Sequence, residues 1–493
     1  MFVFFITAAN LFAQSSDSIL SKAKELRNKG YITEAENLLS QYHKSNPNDF
    51  NTIWLLAQTS YWNNNVMAAK NYYEEAMKLQ PNNYYLKLDY AKMLVETGEF
   101  SKASPLINTY LNYDANSADA LIVKAKIYYW NGDYTNALKL LSSVKTRHPD
   151  NKEAADLYDE IAISKSFWVK LNTSYFNDSQ PIENTTPSIE AGMYVSPVSS
   201  LKFSVLPLLY KNNETNINVS RVQIENKSRF PSAEVDLTIA AGLIKYPDTK
   251  SEFTGKIQID KLIEKSFVLS FLGERKPYLS TASSLNTPVI ENYGSLSLSF
   301  ISKRGFTSRA AYEINSFNDG NNTYSISAWG LSPSIKFSYF DFKIGYGFSF
   351  SSSKENMFTN EKSLETIISE FDSTYKISGI YSPYFTPSNQ QIHSLITSLA
   401  FHPSDAFQAG LSVNYGFLAR TQNPYLYLDS TPTNERYIAK GYLSETYSPL
   451  DVNFYTQIGF SKKVMMTLDY NYSSTNFYIR RYAGLGLKIY FGS

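Results

Sequence analysis

The stretch Phe407–Phe417, FQAGLSVNYGF, constrains the fold more than any other part of the chain. Phe407, Ala409, Leu411, Val413, Tyr415 and Phe417 share one side of an extended strand, and Gln408, Gly410, Ser412, Asn414 and Gly416 share the other. Side chains of a strand alternate faces, so this ribbon is oily on one side and wet on the other. The pattern recurs through the C-terminal two-thirds. It is expected in Phe167–Tyr175, Val235–Leu243, Phe342–Phe350, Val452–Phe460, Val464–Tyr472 and Ala483–Phe491, with Ser448-Pro449-Leu450-Asp451 among the short turns between strands and Thr421–Glu435 among the longer polar connections. The wet side carries Gly, Ser, Asn and scattered charges rather than a second apolar layer. A sheet closed on itself with lipid outside and water inside is written in this way.

Composition narrows the alternatives. The 493 residues exceed one ordinary core, so two domains or a large barrel with an appendage is expected. Aromatics make up 15% of the chain, with 39 Tyr and 31 Phe, which suits interfacial girdles. A formal net charge of +1 and the absence of a basic run argue against a nucleic-acid partner. With no cysteine, disulfides, thiolate metal sites and cysteine nucleophiles are excluded. Met1–Ala13, MFVFFITAANLFA, ends in small residues before a polar Gln14-Ser15-Ser16-Asp17 and is expected to be a secretory signal cut after Ala13.

Between the signal and the strands lies a repeat. Pro47, Pro81 and Pro149 are spaced by 34 and 68 residues, and Ala115 fills the missing slot. Ala35, Ala69, Ala103 and Ala137 keep the same step, as do Ala23, Ala57, Ala91 and Ala125. Gly30, Asn64, Gly98 and Gly132 mark a turn in each unit. Small residues where paired helices touch, a turn residue between them and a proline after the second helix make the tetratricopeptide register. Residues 14–163 are therefore expected to form about four repeats plus a capping helix near Lys152–Ile163, and 164–493 an antiparallel transmembrane barrel of about 16 strands.

In this register Trp54, Tyr61, Trp62, Tyr129 and Trp130 fall on or near the concave groove, with Tyr85 at its edge. Flat aromatic faces can stack on sugar rings; equally, such residues can wedge between helices. Strand alternation gives Lys170, Glu190, Asp236, Lys343, Asp469 and Lys488 as candidates for the pore lining. No catalytic set is evident. Of His43, His148, His393 and His402, His393 adjoins Ser394, but strand neighbours point to opposite faces. No phosphate loop, nucleophile elbow or metal-spaced cluster occurs, so neither enzyme activity nor a cofactor is expected.

The phrase Tyr129-Trp130-Asn131-Gly132-Asp133-Tyr134-Thr135-Asn136-Ala137-Leu138, the segment Tyr381-Ser382-Pro383 and the closing Thr475–Phe491 resemble bacterial outer-membrane proteins that join periplasmic tetratricopeptide repeats to a C-terminal barrel. These include the export porins of the cellulose and poly-N-acetylglucosamine systems and the smaller YaiO-like family. The resemblance implies an outer-membrane location and a periplasmic repeat domain. It also implies a polysaccharide chain or secretion proteins of the periplasm or inner membrane as partners. Two functions follow as expectations: a conduit in exopolysaccharide secretion, or a non-conducting anchored scaffold whose repeats dock envelope proteins.

Overall fold

The computed structural model describes residues 16–212, 216–247, 251–264, 266–286, 288–302, 304–370, 377–475 and 478–491. The expected signal segment Met1–Ala13 lies outside the described residues. The chain divides into two compact units between Ile161 and Ala162.

In the first unit, helices run in pairs: α1 Ser16–Asn28 and α2 Ile32–Ser45, α3 Phe50–Trp62 and α4 Val66–Leu79, α5 Tyr84–Glu96 and α6 Phe100–Tyr113, α7 Ala118–Trp130 and α8 Tyr134–Arg147, then α9 Lys152–Lys165. The eight alanines of the two repeat columns are all fully buried, because a larger side chain would hold the paired helices apart. Gly30, Asn64, Gly98 and Gly132 adopt φ of +83°, +64°, +80° and +82°, the left-handed turn that ends the first helix of each pair. A further column emerges at the same step. Asp49, Asn83, Ser117 and Asn151 each accept a hydrogen bond from a backbone N–H in the first turn of α3, α5, α7 and α9. Each cap contributes about 1 kcal/mol, so helix starts are fixed independently of packing.

The second unit is one closed antiparallel sheet. Its strands are β1 Phe167–Asp178, β2 Glu183–Ser196, β3 Ser199–Lys211, β4 Asn216–Phe230, β5 Val235–Lys245, β6 Glu252–Ile263, β7 Phe267–Tyr278, β8 Val289–Ile301, β9 Thr307–Phe317 and β10 Asn322–Leu331. They continue with β11 Phe340–Ser353, β12 Gln390–Ser404, β13 Phe407–Ser430, β14 in two segments (Arg436–Tyr447 and Leu450–Ser461), β15 Val464–Ser474 and β16 Ile479–Phe491. Each pairs with its neighbour, and β16 pairs with β1 from Phe491↔Phe167 to Arg480↔Asp178, closing sixteen strands among the described residues. A 12-residue strand such as β1 is about 40 Å long and, tilted by about 40°, rises about 30 Å, the thickness of a bilayer core.

Two sequence expectations are corrected here. Ser448-Pro449 is not a turn between neighbouring strands. Both segments of β14 pair antiparallel with β13, so the proline interrupts a single strand, where its missing N–H removes one rung. Likewise most of Thr421–Glu435 is strand rather than loop, because β13 runs unbroken to Ser430. Together with Arg436–Tyr447 it makes a hairpin taller than the neighbouring strands.

Candidate functional site

The barrel has two ends, one where β1 begins and β16 finishes (the near end) and the opposite, far end. Outward positions are apolar. Leu171, Ile189, Leu243, Phe271, Leu296 and Ile326 are each 46–55% exposed, a surface that water would penalise by about 25 cal/mol for every Å². Aromatics gather into two outward bands. Near the near end, Phe167–Phe491, Phe267–Phe300 and Phe340–Phe401 are ring pairs with centroids 6.4, 4.8 and 4.6 Å apart. Nearer the far end, Tyr175, Tyr312, Tyr324, Tyr415 and Tyr470 stand exposed. Apolar wall between aromatic girdles is the exterior of a membrane barrel.

All six candidate pore residues lie on the inward parity. Lys170 is flanked by Glu190 on β2 and Lys488 on β16. The Lys488 ammonium sits 4.2 Å from the ring of inward Trp168. Asp236 binds Arg229 through two bonds of 2.7 and 2.9 Å at the near end. Lys343 pairs with Ser398, and Asp469 lies between Tyr455 and Gly484. Strand alternation alone could not show that many further inward charges neutralise one another. Lys202–Glu225, Arg221–Glu274 and Lys276–Glu291 are ion pairs at 3.2, 4.0 and 3.5 Å along β3–β8.

At the far end, loops turn inward. The short helix α10, Ala282–Asn286, places Leu285 at 2% exposure against inward Phe176, Tyr210, Ile217, Ile244 and Tyr246. A strap from the long β11–β12 connection is tied to it. Thr281 donates to the Pro383 carbonyl, Ser382 to Ser283 at 2.9 Å, and the Phe385 amide to the Tyr278 hydroxyl at 3.1 Å. Tyr384, 1% exposed, stacks on Phe317 at 3.6 Å. Nothing periodic marks these residues in the sequence, so the cap was invisible there.

The repeat groove separates its six candidate aromatics into two groups. Trp54 donates to Asp89 at 2.7 Å, Tyr61 to Glu96 at 2.5 Å, and Tyr129, 6% exposed, to Glu160 at 3.2 Å. These three tie helices together. Trp62, Tyr85 and Trp130 are 57%, 57% and 37% exposed. Trp62 lies under the Arg27 guanidinium at 3.9 Å, and Trp130 stacks on Phe100 at 6.0 Å. Tyr85 joins Tyr84, Tyr110 and Tyr113 in a cluster where Tyr84 and Tyr113 stack at 4.4 Å.

Sequence reasoning missed the hub of this unit. A single oxygen of Asp89 accepts from Trp54, from Gln58 at 2.7 Å and from buried Tyr73 at 2.8 Å. Burial first, and then the Asp89 charge, push the Tyr73 hydroxyl far above its ordinary value. The signal was present: one period away, Asp89 corresponds to Leu55 and Val123, and Tyr73 to Leu39 and Ile107. Further along, Lys92–Asp119 and Lys126–Glu153 repeat the same 27-residue cross-helix pair at 2.6 and 2.7 Å, lining a groove of about 220 Å³. Burial would raise the Glu99 carboxyl, but hydrogen bonds from Lys70 and Lys102 outweigh it and hold the group below its ordinary value.

Among the described residues there is no helix long and apolar enough to cross a membrane and no grouping of three or more His, Asp or Glu suited to a metal ion. His393 faces outward and meets the Tyr346 hydroxyl at 2.6 Å, while Ser394 is buried on the inward side.

Residues 67–127 match the tetratricopeptide repeat family model. Among solved structures, the chain is similar to a bacterial polysaccharide outer membrane secretin, with TM-score 0.47 and 8% identity over 66% of this chain and 99% of that one. It is also similar to a tetratricopeptide repeat protein from Parabacteroides merdae, with TM-score 0.27 and 18% identity over 30% of this chain and 59% of that one. A third likeness is to PilW, a type IV pilus biogenesis factor, with TM-score 0.29 and 15% identity over 30% and 70%. In class, then, the protein is a helical-repeat domain followed by a closed sixteen-stranded β-barrel.

Proposed function

We propose that this protein sits in a bacterial outer membrane, with its repeats in the periplasm, as a component of exopolysaccharide secretion. The observation that carries the reading is the barrel wall: an apolar exterior between two aromatic girdles, and an interior of glycine, hydroxyl, amide and mutually paired charges. Such an interior is wet without strongly selecting small ions of one sign. The loops support this orientation. The near end is joined by short turns such as 197–198, 405–406 and 462–463, whereas residues 354–389 make a long far-end connection, as expected when short turns face the periplasm. Because β1 follows α9 directly, the repeats are attached at the near end and would receive a polymer chain or dock secretion proteins there. The reading assigns no catalysis, and its support is the separation of His393 from Ser394 across the wall.

The inward cap around Leu285 favours a second reading, a non-conducting anchor whose repeats are the working part. Planar-bilayer recording of the full-length protein decides between them. The conduit predicts small or rare openings in the wild type and large, frequent conductance steps when Leu285→Asp drives the cap out of its apolar seat. Silence from both proteins, each shown to be folded and inserted, would leave the anchor.

A further inference from the structure

On the inner wall, a tyrosine is laid flat across a glycine of the neighbouring strand. Tyr455 on β14 faces inward directly opposite Gly410 on β13, and its ring lies where a Cβ at position 410 would be, 2.1 Å from the ring carbon. The glycine therefore lets the ring lie flat against the wall. The exposed tyrosine, 45% open, presents its face to the lumen. Its other cross-strand neighbour is Asp469 on β15, exposed and held in no ion pair among the described residues. One step toward the far end, the Asn471 amide donates to Asn453 at 2.7 Å; one step toward the near end stand Gln457 and Thr467. Gly484 and Gly486 on β16 keep the adjoining wall low. Between the row of Lys170 and Lys488 and the row of Arg480, Asp469 is the one charged inward residue of β13–β16 and β1 among those described.

We propose that Tyr455, Asp469 and the Asn453–Asn471 pair form a stacking subsite for an uncharged pyranose ring of a glycan chain in the lumen. The apolar C–H face of a pyranose is complementary to an aromatic face, while its equatorial hydroxyls need acceptors and donors at the ring edge. Tyr455 supplies the first; the Asp469 carboxylate and the two amides supply the second. Asp469 also sets the sign of discrimination: a uronate carboxylate brought beside it in a partly dehydrated lumen is repelled. The subsite rests on the secretion reading for its biological use, but its chemistry is independent of whether the barrel conducts.

The test is ligand-observed saturation-transfer NMR on the full-length protein in detergent, using β-1,4- and α-1,4-linked glucohexaoses and a hexauronate. Saturation of ring C–H protons by at least one glucohexaose is expected. Affinity should fall about five- to tenfold in Tyr455→Ala and stay within about twofold in Tyr455→Phe, the scale of one aromatic contact. Heat-modifiable migration on gels confirms that each variant is folded. Asp469→Asn should admit the hexauronate that the wild type rejects. The subsite is overturned by no glucohexaose binding, by Tyr455→Ala binding as the wild type does, or by the hexauronate binding wild type as tightly. An open barrel whose glycan binding ignores Tyr455 defeats the subsite alone. A silent barrel with Tyr455-dependent binding keeps the subsite and defeats the conduit.

Discussion

Replacing Asp89 by Leu would give the third repeat the residue type its neighbours carry at the same position, yet it should destabilise the repeat unit. The carboxylate accepts three hydrogen bonds, from Trp54, Gln58 and Tyr73. Trp54 and Gln58 are partly exposed and can turn to water; the Tyr73 hydroxyl, on a side chain 2% exposed, cannot. Leaving that buried donor unpaired costs about 1–3 kcal/mol, and the other two bonds add about 0.5–1 kcal/mol each, so a loss of about 2–5 kcal/mol is expected. Tyr73→Phe alone removes one bond to a charged acceptor and should cost about 1.5 kcal/mol. In the double variant the stranded hydroxyl is gone, so the two losses should not add. A coupling of about 1–2 kcal/mol in the compensating direction is expected. The assay is urea unfolding of the full-length protein followed by circular dichroism at 222 nm, a signal dominated by the helices of the first unit. Additivity of the two losses within about 0.5 kcal/mol would refute the reasoning, because the hydroxyl would then have had somewhere else to go.

Three further outcomes are expected. Gly98→Ala forces a Cβ onto a residue at φ +80° and should cost about 1–2 kcal/mol, whereas Asn64→Gly, at +64°, should be neutral or slightly stabilising by the same assay. Glu99 is held below its ordinary 4.5, so its contribution is complete above that pH and lost as pH falls through the lowered value. The helical melting temperature should drop below pH 4.5, less steeply in Glu99→Gln, and an equal drop in the variant would remove Glu99 from the account. Trp62→Ala with Trp130→Ala should leave helicity and melting nearly intact, since both rings are exposed; Trp54→Ala, losing its bond to Asp89, should lower melting clearly.

What was legible in the sequence is what repeats. Alanines every 34 residues, the left-handed turn residues and the two-residue alternation each follow from one rule applied many times, and each specified its element. About sixteen strands could be inferred because the strand length expected of a transmembrane barrel is set by bilayer thickness rather than by local detail. The failures lie where one rule competes with another. Ser448-Pro449 reads as a turn because proline disfavours sheet, but the partner β13 is long enough to pair with both flanks, its register shifting by one residue across the proline. Thr421–Ser430 looks polar and loop-like because it runs past the ends of the neighbouring strands, where the alternation that marks the wall is no longer needed. The far-end cap depends on contacts between segments distant in sequence, such as Thr281 with Pro383, which no period announces, and the Asp89 hub shows only as polar residues where neighbouring repeats carry Leu55, Val123, Leu39 and Ile107.

The two faces of the barrel wall underlie both the fold and the proposed function, and the absence of cysteine allows a direct measurement of them. Single cysteines placed at successive positions of Phe407–Phe417 in proteoliposome-inserted protein would be reacted with a membrane-impermeant maleimide. Positions 408, 412 and 414 should label through the lumen, and 409, 411, 413 and 415, facing lipid, should resist; Gly410 and Gly416 are left unchanged, because a Cβ there would meet Tyr455 and Pro449. Equal labelling along the strand, or labelling of the odd set alone, would contradict a closed barrel that is oily outside and wet within.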